Sequence, residues 1–116
     1  MAAPVFAGKS YSFKVDNGIE LRDDYGGDGR SLHWEATAGP TKGQSETVDL
    51  HVVEVADGIY FVSWLEASGM TISRVMNFNT GEAQAFWTMP AKEGVGGRSA
   101  EMHTATMAEE SAGSPR

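Results

Sequence analysis

The stretch that decides the fold is Ile59-Tyr-Phe-Val-Ser-Trp-Leu-Glu66. Successive residues of a β-strand point to opposite sides, so its even positions share one face and its odd positions share the other. Both faces are largely apolar, which predicts a strand that is covered on both sides, with a second copy of the chain as one cover. If the face of Tyr60 and Trp64 points inward, Glu66 points inward with them.

Turn-forming residues divide the rest of the chain into further short strands. Asn17-Gly18 and Asp57-Gly58 are pairs that favour tight hairpin turns. The predicted strands are Lys9–Val15, Ile19–Tyr25, Ser31–Thr37, Glu46–Val55, Ile59–Glu66, Thr71–Phe78, Glu82–Met89 and Ala100–Met107. Short strands at this spacing are typical of an all-β sandwich or barrel. A meander of hairpins leaves two exposed edges unless it closes, so we predict an antiparallel up-and-down β-barrel of about eight strands.

The ends of the chain add little regular structure to this prediction. Ala2–Ala7 is the best candidate for a helix, and it is short. The residues from Ala108 onward are small and polar, and we expect this tail to fray. A length of 116 residues suits one domain, so residues 1–116 are predicted to form a single barrel.

Composition and charge exclude several classes of function. Nine Lys and Arg against sixteen Asp and Glu give a net charge of −7, which disfavours binding to nucleic acid. The chain has no cysteine and therefore no disulfide scaffold or thiolate nucleophile. No apolar run reaches the ~18 residues of a membrane span, and no secretory signal is evident. We therefore expect a cytoplasmic protein without a membrane partner.

Aromatic residues on the predicted inward faces favour an interior that holds a small molecule. Trp and Tyr combine an apolar body with a polar tip, which suits an aromatic ligand or one of mixed polarity. The candidate ligand-binding residues with rings are Tyr11, Trp34, Tyr60 and Trp64. Any one of these rings can instead be plain core filling.

Glu66 and Arg74 are the charged candidates for the same site. An inward carboxylate at position 66 loses hydration, which raises its pKa and suits proton transfer or ligand binding. Its alternative place is at the barrel rim, in water. Arg74 lies on the apolar side of its strand, and we expect its head to reach solvent. Pairing with Glu66 and capture of an anionic ligand are the alternatives for Arg74. The three histidines show no tight ligand spacing, so no metal and no cofactor are expected.

The segment from Val52 through Val75 resembles the MoaF-like proteins and, more distantly, the phenolic acid decarboxylases. The shared pattern is Asp57-Gly-Ile-Tyr60, Val62-Ser-Trp64, Glu66, Gly69 and Thr71-Ile-Ser73, with Gly8-Lys-Ser-Tyr11 and Ser31-Leu-His-Trp34 fitting the same pattern. The resemblance covers residues 8–90. It implies a lipocalin-like (calycin) β-barrel, often dimeric, with an interior large enough for a ligand.

The similarity to the decarboxylases implies an alternative function for Glu66. Glu66 lies where their glutamate lies, and Tyr11 matches one of their two tyrosines. Phe13 stands where their second tyrosine would be and lacks its hydroxyl. The position of their arginine falls near Gly43, so the arginine is also missing. We therefore expect a small-molecule-binding protein without catalysis. The alternatives are an acid–base enzyme that acts on a small aromatic acid through Glu66, and a homodimer formed through strand 59–66.

Overall fold

The computed structural model describes residues 3–110, which form nine strands in a single antiparallel sheet. The strands are β1 (Ser10–Val15), β2 (Glu20–Tyr25), β3 (Ser31–Ala38), β4 (Ser45–Asp49), β5 (His51–Ala56), β6 (Ile59–Leu65), β7 (Thr71–Asn77), β8 (Glu82–Val95) and β9 (Arg98–Glu110). This part of the chain contains no helix of the length and apolar character that crossing a bilayer requires. The all-β prediction is confirmed.

The order of the strands explains how the meander becomes a barrel. Each strand pairs with its neighbours in the chain, and β1 also pairs with β9 along Ser10–Val15. The first and last strands are therefore not edges. The two ends of the sheet are instead β4 and β5, which are consecutive in the chain and joined by the buried Leu50 alone.

The predicted strand Glu46–Val55 is thus two strands with a bend between them. Its first half pairs with β3 and its second half pairs with β6, so one bent segment spans the gap between the ends of the sheet. No backbone ladder joins β4 to β5, and the backbone of β4 lies close to that of β6. The bent segment completes the wall of the barrel without backbone hydrogen bonds across the gap.

Two expectations about the chain ends need correction. The tail does not fray at Ala108, because β9 continues to Glu110, which pairs with Ser10 of β1. Residues 111–116, and the first residue of the predicted helix Ala2–Ala7, lie outside the described range. The described remainder of that helix forms turns, in which Ala7 N donates to Pro4 O at 3.0 Å.

The N-terminal turns place one aromatic ring inside the barrel. Phe6 is fully buried, and its ring centroid lies 4.5 Å from Tyr25, 5.2 Å from Tyr60 and 5.7 Å from Phe78. Aromatic pairs at these separations add to the free energy of burial. This aromatic plug, defined by Phe6, Tyr25, Tyr60 and Phe78, fills one end of the barrel.

Candidate ligand-binding cavity

The other half of the barrel encloses a cavity of about 640 Å³. Its wall is mostly apolar and includes all three tryptophans of the chain: Trp34 on β3, Trp64 on β6 and Trp87 on β8. Alternation along the strands produces this placement. On β6, for example, Val62 and Trp64 are buried, whereas Phe61 and Leu65 on the outer face are 40% and 71% exposed.

The floor of the cavity holds a buried ion pair. The Nη2 of Arg74 donates to Oδ2 of Asp23 and, at 2.9 Å, to the hydroxyl of Tyr25. The Tyr25 hydroxyl donates in turn to Asp23 Oδ2 at 2.7 Å. The guanidinium carbon of Arg74 lies 4.2 Å from the ring centroid of Phe13 and 4.9 Å from that of Trp64, so aromatic faces flank the cation.

Burial and the neighbouring charges shift the pKa values of Tyr25 and Arg74. Burial raises the pKa of the Tyr25 hydroxyl well above its usual value, and the charge of Asp23 raises it further, so Tyr25 stays neutral. Burial opposes the charge of Arg74, but the attraction of Asp23 and the interactions with Tyr25 together outweigh burial and raise the pKa of Arg74. The expectation that Arg74 reaches solvent was wrong. Sequence alternation did not reveal the partner, which is Asp23 rather than Glu66.

Glu66 stands at the end of β6, where a tight turn holds its backbone. Its N–H donates to Met70 O at 2.9 Å, and Gly69 N donates to Glu66 O at 2.9 Å. Gly69 adopts a φ of 93°, which L side chains rarely adopt, so glycine suits this turn. The side chain returns over the cavity, where Trp64 Nε1 donates to Glu66 Oε2 at 2.9 Å.

Burial raises the pKa of the Glu66 carboxyl, and the nearby charge of Glu46 raises it further, against the opposing effect of the Trp64 hydrogen bond. Glu46 is on β4, directly opposite Trp34 in the strand register, and it also lines the cavity. Its Oε2 accepts from Ala67 N at 2.9 Å. Two carboxylates thus share the upper wall of the cavity with two indoles.

His103 on β9 is a further lining residue. Its ring stacks on Trp87 with a centroid distance of 4.3 Å. Nδ1 lies 2.7 Å from Asp16 Oδ1 and Nε2 lies 2.8 Å from Glu101 Oε1, and both contacts become hydrogen bonds to carboxylates when the ring is an imidazolium. Burial disfavours the protonated ring, but the hydrogen bonds and the negative charges of Glu101 and Asp16 together outweigh burial and raise the pKa of His103.

The structure gathers four of the six residues predicted for the site around this cavity: Trp34, Trp64, Glu66 and Arg74. Tyr60 belongs to the aromatic plug, where its hydroxyl accepts from Val5 N at 3.2 Å. Tyr11 packs its ring against Phe78 at 5.3 Å and lines a separate cleft at that end. The expectation that both phenols share a cavity with Glu66 was wrong, because neither Tyr11 nor Tyr60 lies on the cavity wall and Tyr60 packs against Phe6 instead.

The residues that the sequence prediction missed are Asp23, Trp87 and His103. For Asp23 a signal existed, because continuing the inward alternation of Ile19 and Leu21 reaches position 23. The acidic character of the residue argued against burial there. Within residues 3–110, no group of three or more His, Cys, Asp or Glu side chains is arranged to hold a metal ion.

Comparison with known proteins agrees with this geometry. A search of curated proteins gave no significant match. Among solved structures, a Burkholderia vietnamiensis protein described as "a putative beta-lactamase" superimposes with a TM-score of 0.81 at 23% identity, covering 95% of this chain and all of that one. Core-bradavidin superimposes with a TM-score of 0.54 at 16% identity, covering 85% of this chain and 99% of that one. At these identities the likeness shows the fold alone.

The sequence comparison supplies the family. The MoaF-like family profile matches residues 7–99, which is most of the chain and includes the strands that carry the three indoles, Glu66 and Arg74. The resemblance predicted from the segment around Ile59–Glu66 is thereby confirmed. The chain belongs to the MoaF-like family.

Proposed function

We propose that this protein binds a small, mainly apolar molecule with an aromatic or mixed-polarity character inside its barrel. The observation that carries the proposal is the cavity of about 640 Å³ lined by Trp34, Trp64 and Trp87. Ligand sites are typically concave, mostly apolar and about 300–1,000 Å³ in volume, with a few polar groups that orient the ligand. Glu66 and the buried Arg74–Asp23 pair supply such polar groups here.

The contrast between the two halves of the barrel supports this proposal. Protein interiors normally pack at the density of organic crystals. The aromatic plug reaches such packing through Phe6, which is fully buried against three other rings. The indole-lined half stays open although the chain has large apolar residues there. An open apolar cavity costs stability, and selection for a ligand accounts for its retention.

The test uses the tryptophans as reporters, since all three line the cavity. The protein is titrated with 2-phenylethanol, a neutral aromatic probe, while tryptophan emission and the melting temperature are followed. We expect a saturable change in emission and a rise in Tm, because a ligand that binds only the folded state stabilises it. If neither observable changes up to the solubility limit of the probe, binding in the barrel is wrong.

A pair of variants on one strand supplies the matched control. Ala105 lines the cavity, whereas Ala108 is exposed on the outer face of β9. Ala105→Phe places a ring in the cavity and should weaken binding of the probe. Ala108→Phe should leave the affinity for the probe unchanged. Equal affinities in the two variants would place the probe elsewhere on the protein.

Proton transfer by Glu66 is the second candidate function. The half-buried carboxyl has a raised pKa and faces the cavity, which are the properties of a general acid or base. A decarboxylase acting on an aromatic acid also needs phenols near its glutamate, and Tyr11 lies at the opposite end of the barrel. Release of CO₂ from a hydroxycinnamate that is abolished in Glu66→Gln would support this candidate. If the unmodified protein does not turn over hydroxycinnamates, decarboxylase activity is excluded as its function.

A further inference from the structure

We propose that the cavity selects a protonated amine carried on an aromatic or apolar body, and that Glu66 is the residue that receives the ammonium group. This inference rests on the proposed ligand binding and adds the charge of the ligand. Three observations carry it: the charge balance of the cavity wall, the free carboxylate oxygens and the indole faces.

The cationic groups that line the cavity are already neutralised by the protein. Arg74 is paired with Asp23 between two aromatic rings. His103, when protonated, sits between the carboxylates of Asp16 and Glu101. A ligand carboxylate would therefore meet no uncompensated positive charge on the lining.

The acidic groups of the upper wall are in the opposite situation. Within residues 3–110, neither Glu66 nor Glu46 forms a salt bridge. Glu66 receives the Trp64 indole hydrogen on Oε2, which leaves Oε1 without a hydrogen bond from a described residue. Glu46 likewise uses only Oε2, for the N–H of Ala67. The cavity wall thus presents two acceptor oxygens and a net negative charge, which an ammonium group complements.

The indoles strengthen the same preference. The face of a tryptophan ring is negative and attracts cations, and the effect grows when water is excluded. Trp34 stands opposite Glu46 in the register, and Trp64 is bonded to Glu66, so an indole accompanies each carboxylate. An anionic ligand would be repelled by both kinds of group.

Three buried polar atoms beside the cavity lack hydrogen-bond partners among the described residues. Asp23 is fully buried at the floor, and its Oδ1 has no hydrogen-bond partner. Trp34 Nε1 is also buried without an acceptor, and so is the Nε of Arg74 between its flanking rings. Unmade hydrogen bonds of buried groups are costly. These atoms are too deeply buried to contact a ligand in the cavity, so the carboxylates and the indoles define the ammonium site.

The experiment compares three probes of similar size that differ in charge: 2-phenylethylamine, 2-phenylethanol and 3-phenylpropionate. Binding at pH 7.5 is measured by tryptophan emission and by Tm. We expect the amine to bind at least about fivefold more tightly than the alcohol, which corresponds to the ~1 kcal/mol of a partly exposed ion pair. The propionate should bind more weakly than the alcohol.

Glu66→Gln tests the assigned residue. It should remove the preference for the amine while keeping the affinity for the alcohol. Glu82→Gln is the control, because it makes the same change in net charge at an exposed residue on the plug side of β8, outside the cavity lining. Circular dichroism and Tm of both variants establish that they are folded.

The outcomes separate the two proposals. Binding of the alcohol without any preference for the amine, or tighter binding of the propionate, overturns the charge assignment and leaves the proposed function standing. An amine preference that persists in Glu66→Gln excludes Glu66 as the receiving residue. If none of the three probes binds, the proposed function fails and this inference fails with it.

Discussion

Arg74 and Asp23 form an ion pair across the interior of the barrel, between strands that are not neighbours in the sheet. Arg74 lies on β7 and Asp23 on β2, and three strands, β1, β9 and β8, separate them along the wall. Both side chains are buried, with exposures of 4% and 0%. The pair therefore ties opposite walls together and separates the aromatic plug from the cavity.

The first prediction concerns the cost of breaking this pair. Asp23→Ala should lower the free energy of unfolding by about 3–5 kcal/mol, because it leaves the Arg74 charge buried without a partner. Urea denaturation measures the loss. The double variant Asp23→Leu with Arg74→Met should recover much of it, since neither charge then remains. Asp23→Ala with unaltered stability would mean that the pair is not buried in solution.

The second prediction concerns the aromatic plug. Phe6→Ala removes a fully buried ring and should cost about 3–5 kcal/mol. Phe86→Ala is the matched control, because that ring is 44% exposed and its loss should cost far less. Chemical denaturation of the two variants gives the comparison. Similar losses would show that the N-terminal turns do not seal the barrel.

The third prediction is the pH dependence of the contribution of Glu66 to stability. Its pKa is raised in the folded state, mainly by burial, so folding favours the protonated form. The contribution is present at low pH and is lost as pH rises through the raised pKa. The Tm of the unmodified protein minus that of Glu66→Gln should therefore decrease from pH 4 to pH 7. An increase over this range would contradict a desolvated carboxyl at this site.

The fourth prediction concerns a base, His103, whose contribution to stability depends on pH in the same direction. Burial lowers the pKa of His103, but the hydrogen bonds and charges of Glu101 and Asp16 together outweigh burial and raise it. Its contribution is present below the unfolded pKa and is lost as pH rises through the higher folded value. His103→Gln should therefore lower Tm more at pH 5.5 than at pH 8.5. An equal loss at both values would leave only the stacking on Trp87 as the source of stability.

The fifth prediction is the homodimer. The outer face of β6 exposes Phe61 and Leu65, and Val53 lies opposite Phe61 in the register of β5 and β6. Adjacent exposed apolar side chains of this kind mark contact surfaces. We expect a dimer by sedimentation at micromolar concentration and a monomer after Leu65→Lys. A monomeric mass for the unmodified protein would remove this prediction.

Sequence alternation predicted the strands and the inward face of Tyr60, Val62 and Trp64, because period-two patterning follows directly from strand geometry. It did not predict that the interior is divided into the aromatic plug and the indole-lined cavity. Phe6 lies in an irregular segment without periodicity, and only the folded chain shows that it packs against Tyr60, which does not line the cavity.

The charged residues show a second limit of prediction from local sequence patterns. Whether Arg74 reaches water or stays buried depends on a partner 51 positions away in the chain, and no local pattern encodes that distance. The split of Glu46–Val55 at Leu50 was missed for a similar reason. Both halves alternate correctly, and the bend arises from pairing with different neighbours, β3 and β6.

The junction at Leu50 has a mechanical consequence for the barrel. Elsewhere, enlarging the circumference means breaking a row of backbone hydrogen bonds, whereas between β4 and β5 there are none to break. Only side-chain packing resists a local widening of the seam between β4 and β5. Glu46 lies on β4, at one side of this seam. A wide ligand would therefore be accommodated by displacement of side chains at the seam between β4 and β5, rather than by stretching of the hydrogen-bonded sheet.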